Sequence, residues 1–250
     1  MSSRAFNESA RIAPVLRDIA VYMRLNPDLF SEVIVVDDGS RDGTAEVVMS
    51  MSKELKLRLE ILPENRGKWA AIHHGMKVAR TDAILLLDAD GASSVWEVER
   101  IGLITFKACV EKKFALFGSR FMKKSEVKDK GFFRTIISHG YRMYVSLMYS
   151  FAGGKHKVSD FQCPFKLIHK SMIFDVLEVD RWAGDIELIL ATYGRIVNVP
   201  INFQHKAGGS VKVGTIFDMF METMRVSRRF RSFKNGKGNL AFTEQKSLYS

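Results

Sequence analysis

Residues 84–92 read ILLLDADGA, an unbroken apolar run that stops at two carboxylates, Asp88 and Asp90, separated by one alanine. Residues 33–40, VIVVDDGS, have the same form, because this apolar run also ends at two aspartates. Short apolar runs between turn residues are typical of strands buried on both faces of a sheet. Two carboxylates this close repel each other unless a cation lies between them, so residues 88–90 are either a divalent-metal site or a solvated turn.

Strands alternate with helices through the first half of the chain. Apolar residues at helical spacing predict helices at 10–25 and 95–112, while LRLEIL at 57–62 and FALFGSR at 114–120 predict further strands. This alternation predicts an α/β fold with a Rossmann-like, mostly parallel sheet covered by helices. Ligands of such sheets bind beyond the carboxyl ends of the strands. Five polar side chains follow those ends and are expected to converge there: Asp37, Asp38, Asp88, Asp90 and Arg120.

The second half of the chain contains two segments of mixed character. Residues 132–152 place apolar and aromatic side chains along one helical stripe, which is typical of a core helix but also of an interfacial helix on a membrane. Residues 216–250 begin with a Met- and Phe-rich segment and four arginines between 225 and 231, which fit an anionic membrane surface. We predict a main domain at 1–215, then an amphipathic basic helix and a mobile tail at 216–250.

The composition limits the class of protein. The chain has 250 residues and a net charge of +10, which favours anionic partners. Its two cysteines, Cys109 and Cys163, provide neither a disulfide framework nor zinc-ligand spacing. No nucleic-acid-binding module is recognisable, no apolar run is long enough to span a bilayer, and the polar N-terminus lacks a signal-peptide core. We therefore expect a cytoplasmic protein, peripheral on the cytoplasmic face of a membrane, with no nucleic-acid partner.

Six motifs in a fixed order resemble one family. VIVVDDGSRDGT, NRGKWAAIHHGM, ILLLDADGA, FGSRF, SDFQCPFKLIHK and RWAGDIELI together are similar to the inverting family 2 glycosyltransferases of the GT-A fold. Within that family the chain looks most like the polyprenyl-phosphate sugar synthases, particularly the dolichyl-phosphate β-glucosyltransferase branch. The resemblance implies a GT-A domain at 1–215 and transfer of a hexose to a polyprenyl (dolichyl) phosphate. It also implies a nucleotide diphosphate sugar, with UDP-glucose favoured, and Mg²⁺ or Mn²⁺.

The resemblance also implies roles for individual residues. The DAD motif would hold the metal through Asp88 and Asp90. The nucleotide-sugar set is Ala5, Phe6, Glu8, Asp37, Asp38, Asn65, Lys68, Asp88, Ala89 and Asp90. The catalytic set is Arg120, Asp160, Asp185 and Glu187, and the acceptor-phosphate set is Arg134, Gln162 and Lys212. Because a phosphate monoester is largely ionised at neutral pH, we expect Asp160 and Asp185 to position groups as much as to move protons.

Two features of the sequence depart from the family pattern. The family begins with a buried apolar strand, but only MSSR precedes Ala5, so the first strand is expected to be missing or nearly so. Trp69 stands where the family usually has glycine, and its ring is expected to narrow the pocket or to stack on a neighbouring group.

The same residues leave several classes of protein open. Among enzymes, the chain also fits a dolichyl-phosphate mannose synthase that uses GDP-mannose, or a family 2 enzyme that acts on a saccharide. The expected loss of the first strand would fit a degenerate homologue that binds a nucleotide sugar without catalysis. Paired acids after the first long strand and an aspartate after a later one also occur in phosphoacceptor receiver domains, and the positive charge by itself fits a basic nucleic-acid-binding protein.

Overall fold

The computed structural model describes most of the chain. The described residues are 1–53, 55–128, 132–154, 158–172, 179, 181–192, 195–204 and 213–234. They form a seven-stranded sheet with helices on both faces and a separate pair of short strands.

The large sheet is parallel except for one strand. Its strands are β1 (Ser2–Ala5), β2 (Val33–Asp37), β3 (Leu57–Ile61), β4 (Ala83–Asp88), β5 (Ala115–Ser119), β7 (Lys166–His169) and β8 (Ile196–Pro200). They lie in the order β3-β2-β1-β4-β7-β5-β8, and β7 runs antiparallel to both of its neighbours. The short parallel pair consists of β6 (Val127–Lys128) and β9 (Phe203–Gln204). The α/β class and the mostly parallel sheet are therefore confirmed.

Helices cover the two faces of the sheet. They are α1 (Ile12–Leu25), α2 (Thr44–Met51), α3 (Lys68–Val78), α4 (Glu97–Ile101), α5 (Leu103–Glu111), α6 (Phe132–Phe151), α7 (Gly184–Ala191) and α8 (Val213–Lys234). Alternate residues of the central strands enter different cores: Ile34 and Leu86 lie on the side of α3, α6, α7 and α8. Val35 and Leu87 lie on the side of α1, α4 and α5. Both faces are buried, which explains why the strands read as unbroken apolar runs.

The expectation that the first strand is missing is wrong. Ser2–Ala5 forms β1, a short central strand that is parallel to β2 on one side and to β4 on the other. The N–H of Ile34 donates to the carbonyl oxygen of Met1, and the N–H of Asp38 donates to that of Ala5, each at 2.9 Å. Two neighbouring strands thus provide the backbone hydrogen bonds, and they override the weak strand propensity of the sequence SSRA.

The single helix expected at 95–112 is two helices. Gly102 separates α4 from α5 with φ +95°, a backbone conformation that glycine adopts without the steric penalty of a side chain.

The long helices α6 and α8 pack together over one face of the sheet. Tyr141 and Val145 of α6 are buried, as the core interpretation of 132–152 expected, and Tyr141 hydrogen-bonds Thr223 of α8. On the other side of α6, Met143 is 75% exposed and Leu147 is 63% exposed. No helix among the described residues is long and apolar enough to cross a membrane. The tail at 235–250 lies outside the described residues, and the division at 215 stays a prediction.

The burial of β1 leads to a stability prediction. Ser3 is buried, and its hydroxyl oxygen has no hydrogen-bond partner among the described residues. Because an unpaired buried hydroxyl costs free energy, we expect Ser3→Ala to raise the free energy of unfolding by about 1 kcal/mol in chemical denaturation. Ser52→Ala is the control, since Ser52 is exposed and should change stability by less than about 0.5 kcal/mol. A destabilised Ser3→Ala protein would show that the Ser3 hydroxyl has a hydrogen-bond partner and would contradict the prediction.

Candidate active site

The polar residues predicted to converge do so at one edge of the sheet. Because β1, β2, β4 and β5 are parallel, the residues that follow them lie side by side. These residues include Asp38, Asp88, Asp90 and Arg120. The antiparallel strand β7 begins at the same edge with Lys166, which lies opposite Leu86 in the sheet register.

Two ion pairs form the centre of the site: Lys166–Asp185 is largely buried, whereas the side chains of Lys68 and Asp88 are 29% and 32% exposed. The ammonium group of Lys68, at the start of α3, lies 2.9 Å from Oδ1 of Asp88. The ammonium group of Lys166 lies 2.7 Å from Oδ1 of Asp185, near the start of α7, and Lys166 itself is almost fully buried. Both pairs line one small cavity together with Trp69. The arrangement gathers alternating charges in a partly enclosed space, where electrostatic interactions are stronger than in bulk water.

The Asp88 and Asp90 carboxyls differ in their electrostatics. Burial alone would raise the pKa of Asp88, but the neighbouring Lys68 ammonium group lowers it below its ordinary value. The pKa of Asp90 is raised, first by burial and then by the negative charge of Asp88. Between these two residues, Ala89 is buried in the core.

The residues present fit a divalent cation whose other ligands come from a substrate. Added positive charge would relieve the repulsion between Asp88 and Asp90, and carboxylate oxygens are the donors that Mg²⁺ and Mn²⁺ prefer. Among the described residues no group of three His, Cys, Asp or Glu side chains could hold a metal. The two carboxylates therefore suit a cation that is completed by diphosphate oxygens.

The predicted nucleotide residues surround the ends of β1 and β2. Both oxygens of Asp38 are occupied: Oδ1 accepts from the N–H of Arg66 at 2.8 Å, and Oδ2 lies 3.0 Å from the Arg4 guanidinium. Asp37 accepts from the backbone N–H of Ser40 at 3.0 Å. These bonds fix the loops that enclose this part of the edge.

The other three nucleotide residues lie in different surroundings. The Phe6 ring faces the guanidinium of Arg4, and Glu8 pairs with Arg11 at 2.8 Å. Burial raises the pKa of Glu8, and the negative charge of Asp90 contributes to the rise to a smaller extent. Asn65 does not line the central cavity but a separate one of about 600 Å³, which α8 also borders.

A second polar cluster lies beside the first. Arg120 binds Asp160 through both arms of its guanidinium, with Nε–Oδ2 at 2.7 Å and Nη2–Oδ1 at 2.9 Å. Burial would raise the pKa of Asp160, but the Arg120 hydrogen bonds and charge lower it below its ordinary range. Gln162 and Arg142 line a small cavity together with Arg120 and Asp160. The Arg142 guanidinium lies 4.4 Å from the centre of the Phe121 ring. Among the described residues, no carboxylate is within ion-pair distance of Arg142.

A large groove opens next to this cluster along α6. Its volume is about 1460 Å³, and it contacts α6 on one side and the β5–β6 connection on the other. Arg142 and Phe121 line both the groove and the small cavity of Arg120. The groove is mostly apolar at Met122, Met143, Leu147 and Phe161 and basic at Arg100, Lys123 and Lys124.

Of the remaining predicted residues, only Glu187 has a described side chain, and it lies in neither cluster. Glu187 is fully buried between α7 and α8, where it pairs with Arg229 and accepts a hydrogen bond from the N–H of Val179 at 3.1 Å. For Arg134 only the backbone, within α6, is described. Lys212 lies outside the described residues.

Sequence reasoning assigned no role to Lys166 or Arg142. The signal for Lys166 was a charged residue at the start of an apolar strand segment, where only a paired charge is tolerated. The signal for Arg142 was a basic residue outside the apolar stripe of α6, about two helical turns after Arg134.

Comparison with known proteins relates this geometry to a family. The family model described as Glycosyl transferase family 2 matches residues 4–173. A dolichyl-phosphate beta-glucosyltransferase of Trichomonas vaginalis is 31% identical over 241 residues, covering 91% of this chain and 70% of the relative. The dolichyl-phosphate beta-glucosyltransferase of Homo sapiens is 34% identical over 199 residues, covering 74% of this chain and 60% of the relative. Against the first relatives, the chain thus spans between 59% and 70% of their lengths.

Solved structures share the fold at low sequence identity. Mannosyl-3-phosphoglycerate synthase from Rubrobacter xylanophilus has a TM-score of 0.67 at 15% identity, covering 96% of this chain and 75% of that chain. Glucosyl-3-phosphoglycerate synthase from Mycobacterium tuberculosis has a TM-score of 0.63 at 16% identity, covering 90% of this chain and 76% of that chain. That protein was crystallised with Mn²⁺, UDP and glucosyl-3-phosphoglycerate. These likenesses concern the fold alone, which is GT-A. Since the family match extends over more than half of the residues, from the end of β1 to β7, the chain belongs to glycosyl transferase family 2.

Proposed function

We propose that the chain transfers glucose from UDP-glucose to a polyprenyl (dolichyl) phosphate, with inversion at the anomeric carbon, at the cytoplasmic face of a membrane. The observation that carries the proposal is the junction at Arg142: a mostly apolar groove begins beside the polar clusters that follow β4 and β5 and precede β7. A lipid phosphate has the same two parts, an anionic head and an apolar chain. The curated relatives with this name supply the glucose and the dolichyl phosphate in the proposal.

The donor side of the reaction uses the first cluster. Asp88 and Asp90 would hold Mg²⁺ or Mn²⁺, and Lys68 adds positive charge at the same place. When bound, Mg²⁺ or Mn²⁺ supplies Lewis-acid stabilisation of the charge that develops on departing UDP. Phe6, Glu8, Asp37 and Asp38 form the nucleoside side of this site.

The acceptor side uses the second cluster and the groove. Arg142 and Gln162 bind the acceptor phosphate beside Arg120 and Asp160, with Arg134 and Lys212 as further contacts. An oxygen of that phosphate attacks C1 of glucose as the bond from C1 to the diphosphate oxygen breaks, and UDP leaves with the electron pair. The phosphate oxygen is already ionised, so the step needs no general base, and Asp160 and Asp185 orient the reacting groups. Positioning and electrostatic stabilisation lower the barrier.

The apolar part of the groove accommodates the first isoprene units of the acceptor. Met143 and Leu147 are exposed on α6 in the direction of this groove, and Lys123 and Lys124 lie at its border. Exposed apolar groups next to basic ones suit a protein that rests on an anionic membrane surface and receives a lipid from it. The exposed arginines of α8, Arg225 and Arg228 among them, add to this charge.

The metal-binding role of Asp90 can be tested by substitution. We expect Asp90→Asn to lower the rate of UDP release with UDP-glucose, a short-chain polyprenyl phosphate and Mn²⁺ by about 100-fold or more, because the developing charge loses its Lewis acid. EDTA should have the same effect on the wild-type protein. Asp18→Asn, which removes an exposed carboxylate of α1, is the control and should leave the rate unchanged. Full activity of Asp90→Asn in EDTA would refute the assignment of Asp90 to the metal site. The same assay with GDP-mannose in place of UDP-glucose tests the alternative donor.

The acceptor role of Arg142 predicts a selective defect. Arg142→Gln removes a charged hydrogen-bond donor, so the KM for the polyprenyl phosphate should rise by about 10- to 100-fold. The affinity for UDP, measured by calorimetry with Mn²⁺, should stay the same. Lys123→Gln removes a charge from the border of the same groove and should change the KM by less than about threefold. An unchanged KM in Arg142→Gln would place the acceptor phosphate elsewhere.

A further inference from the structure

Trp69 is a buried group that the proposed reaction does not use. The side chain lies in the first turn of α3, directly after Lys68, and it is only 1% exposed. Its indole N–H has no hydrogen-bond partner among the described residues. A buried donor without an acceptor costs free energy, and unpaired groups of this kind are rare in folded proteins.

The ring of Trp69 lies against the start of the helix that carries Asp185. A Cβ atom added at Gly184 would come within 2.2 Å of the indole ring carbons, so the ring packs directly on the Gly184 backbone. Gly184 precedes Asp185 in the chain, so this contact places the indole against the start of α7. The Trp69 ring accordingly stacks on a neighbouring group, which is one of the two arrangements expected from the sequence.

The small cavity beside Trp69 is bordered by one side chain with a lone donor and by another with an acceptor. Its lining includes Lys68, Trp69, Asp88, Lys166 and Asp185. The space open to the centre of a water-sized group is about 10 Å³, which is room for one water molecule or one hydroxyl group. A hydroxyl both donates and accepts a hydrogen bond, so it can donate to a carboxylate and accept from an indole N–H at the same time.

We propose that Trp69 is a specificity-determining residue for the donor sugar: its indole N–H donates a hydrogen bond to one hydroxyl of the hexose, and that hydroxyl donates to Asp185. The inference rests on the proposed function, because it places the hexose of the nucleotide sugar beside Asp88 and Asp185. It adds that the site recognises a hydroxyl-bearing sugar through a neutral donor, and that UDP without a sugar makes no use of this donor. A site built this way discriminates against sugars that lack the hydroxyl, because both partners would then stay unpaired.

The test is the substitution Trp69→Phe, which keeps an aromatic ring against Gly184 and removes only the N–H and part of the indole. With Mn²⁺ present, we expect the dissociation constant of UDP-glucose to rise about tenfold in calorimetry, while that of UDP stays within about twofold. Trp96→Phe is the matched control, since this indole lies on the surface beside Tyr22 and should affect neither ligand. Equal loss of UDP and UDP-glucose affinity in Trp69→Phe would indicate general disruption and would overturn the inference.

A set of UDP-deoxyglucose donors, each lacking one sugar hydroxyl, identifies the bonded group. For one of these donors the wild-type and Trp69→Phe proteins should bind equally, because the hydroxyl that Trp69 contacts is absent. If the tenfold penalty persists with every deoxy donor, the N–H contacts a buried water and the inference is wrong. If the wild-type protein does not bind UDP-glucose, the proposed function fails and the inference with it. Intact transfer with unchanged UDP-glucose affinity in Trp69→Phe removes the inference alone.

Discussion

Ion pairing of carboxylates that are buried or partly withdrawn from water organises the carboxyl edge of this sheet. A buried carboxylate is tolerated only with a cation or several hydrogen bonds beside it, since leaving it unpaired costs several kcal/mol. Four carboxylates here each have one basic partner, at distances between 2.7 and 3.0 Å. The pairs are Arg4–Asp38, Lys68–Asp88, Arg120–Asp160 and Lys166–Asp185. Asp90 differs, because it forms no ion pair within the described part of the chain and its pKa is raised by burial and by Asp88.

The reversed strand β7 explains how the two polar clusters come to adjoin. A parallel strand delivers the residue after its last position to the carboxyl edge, whereas an antiparallel strand delivers its first. Lys166 is the first residue of β7, and the segment before it carries Asp160 and Gln162 to the same edge. One strand direction therefore sets both Lys166 against Asp185 and Asp160 against Arg120. Parallel strands alone would have put these residues at the opposite edge of the sheet.

Local patterns in the sequence predicted the strands that they encode. Elements and ion pairs that depend on contacts between distant residues could not be predicted in this way. The apolar runs that end in Asp38 and Asp88 predicted two strands and one shared edge, because burial on both faces leaves a continuous apolar signature. The sequence SSRA at the start has no such signature, and β1 forms because β2 and β4 supply hydrogen bonds on both sides. The partner of each edge carboxylate was equally hidden, since Lys166 and Asp185 meet only after β7 and α7 have packed.

Hydrogen bonds and an ion pair from helix α8 hold α7, the helix that carries Asp185, in place. The Glu222 carboxylate of α8 accepts hydrogen bonds from the N–H groups of Trp182 and Ala183, at 2.7 and 2.9 Å, and so caps the start of α7. One turn later, Glu187 pairs with Arg229 of α8 in a fully buried position. The acidic motif GDIEL thus divides its two acids: Asp185 faces the cavity and Glu187 anchors the helix.

The different positions of Asp185 and Glu187 explain why two acids lie so close together in the sequence. The acid that faces the cavity can meet a substrate only if its helix keeps a fixed height and rotation over the sheet. Trp69 fixes that height by its contact with Gly184, and the Glu187–Arg229 pair opposes rotation, since turning α7 would leave a buried carboxylate without its partner. The basic helix α8 is therefore part of the framework that positions Asp185, through Glu222 and Arg229.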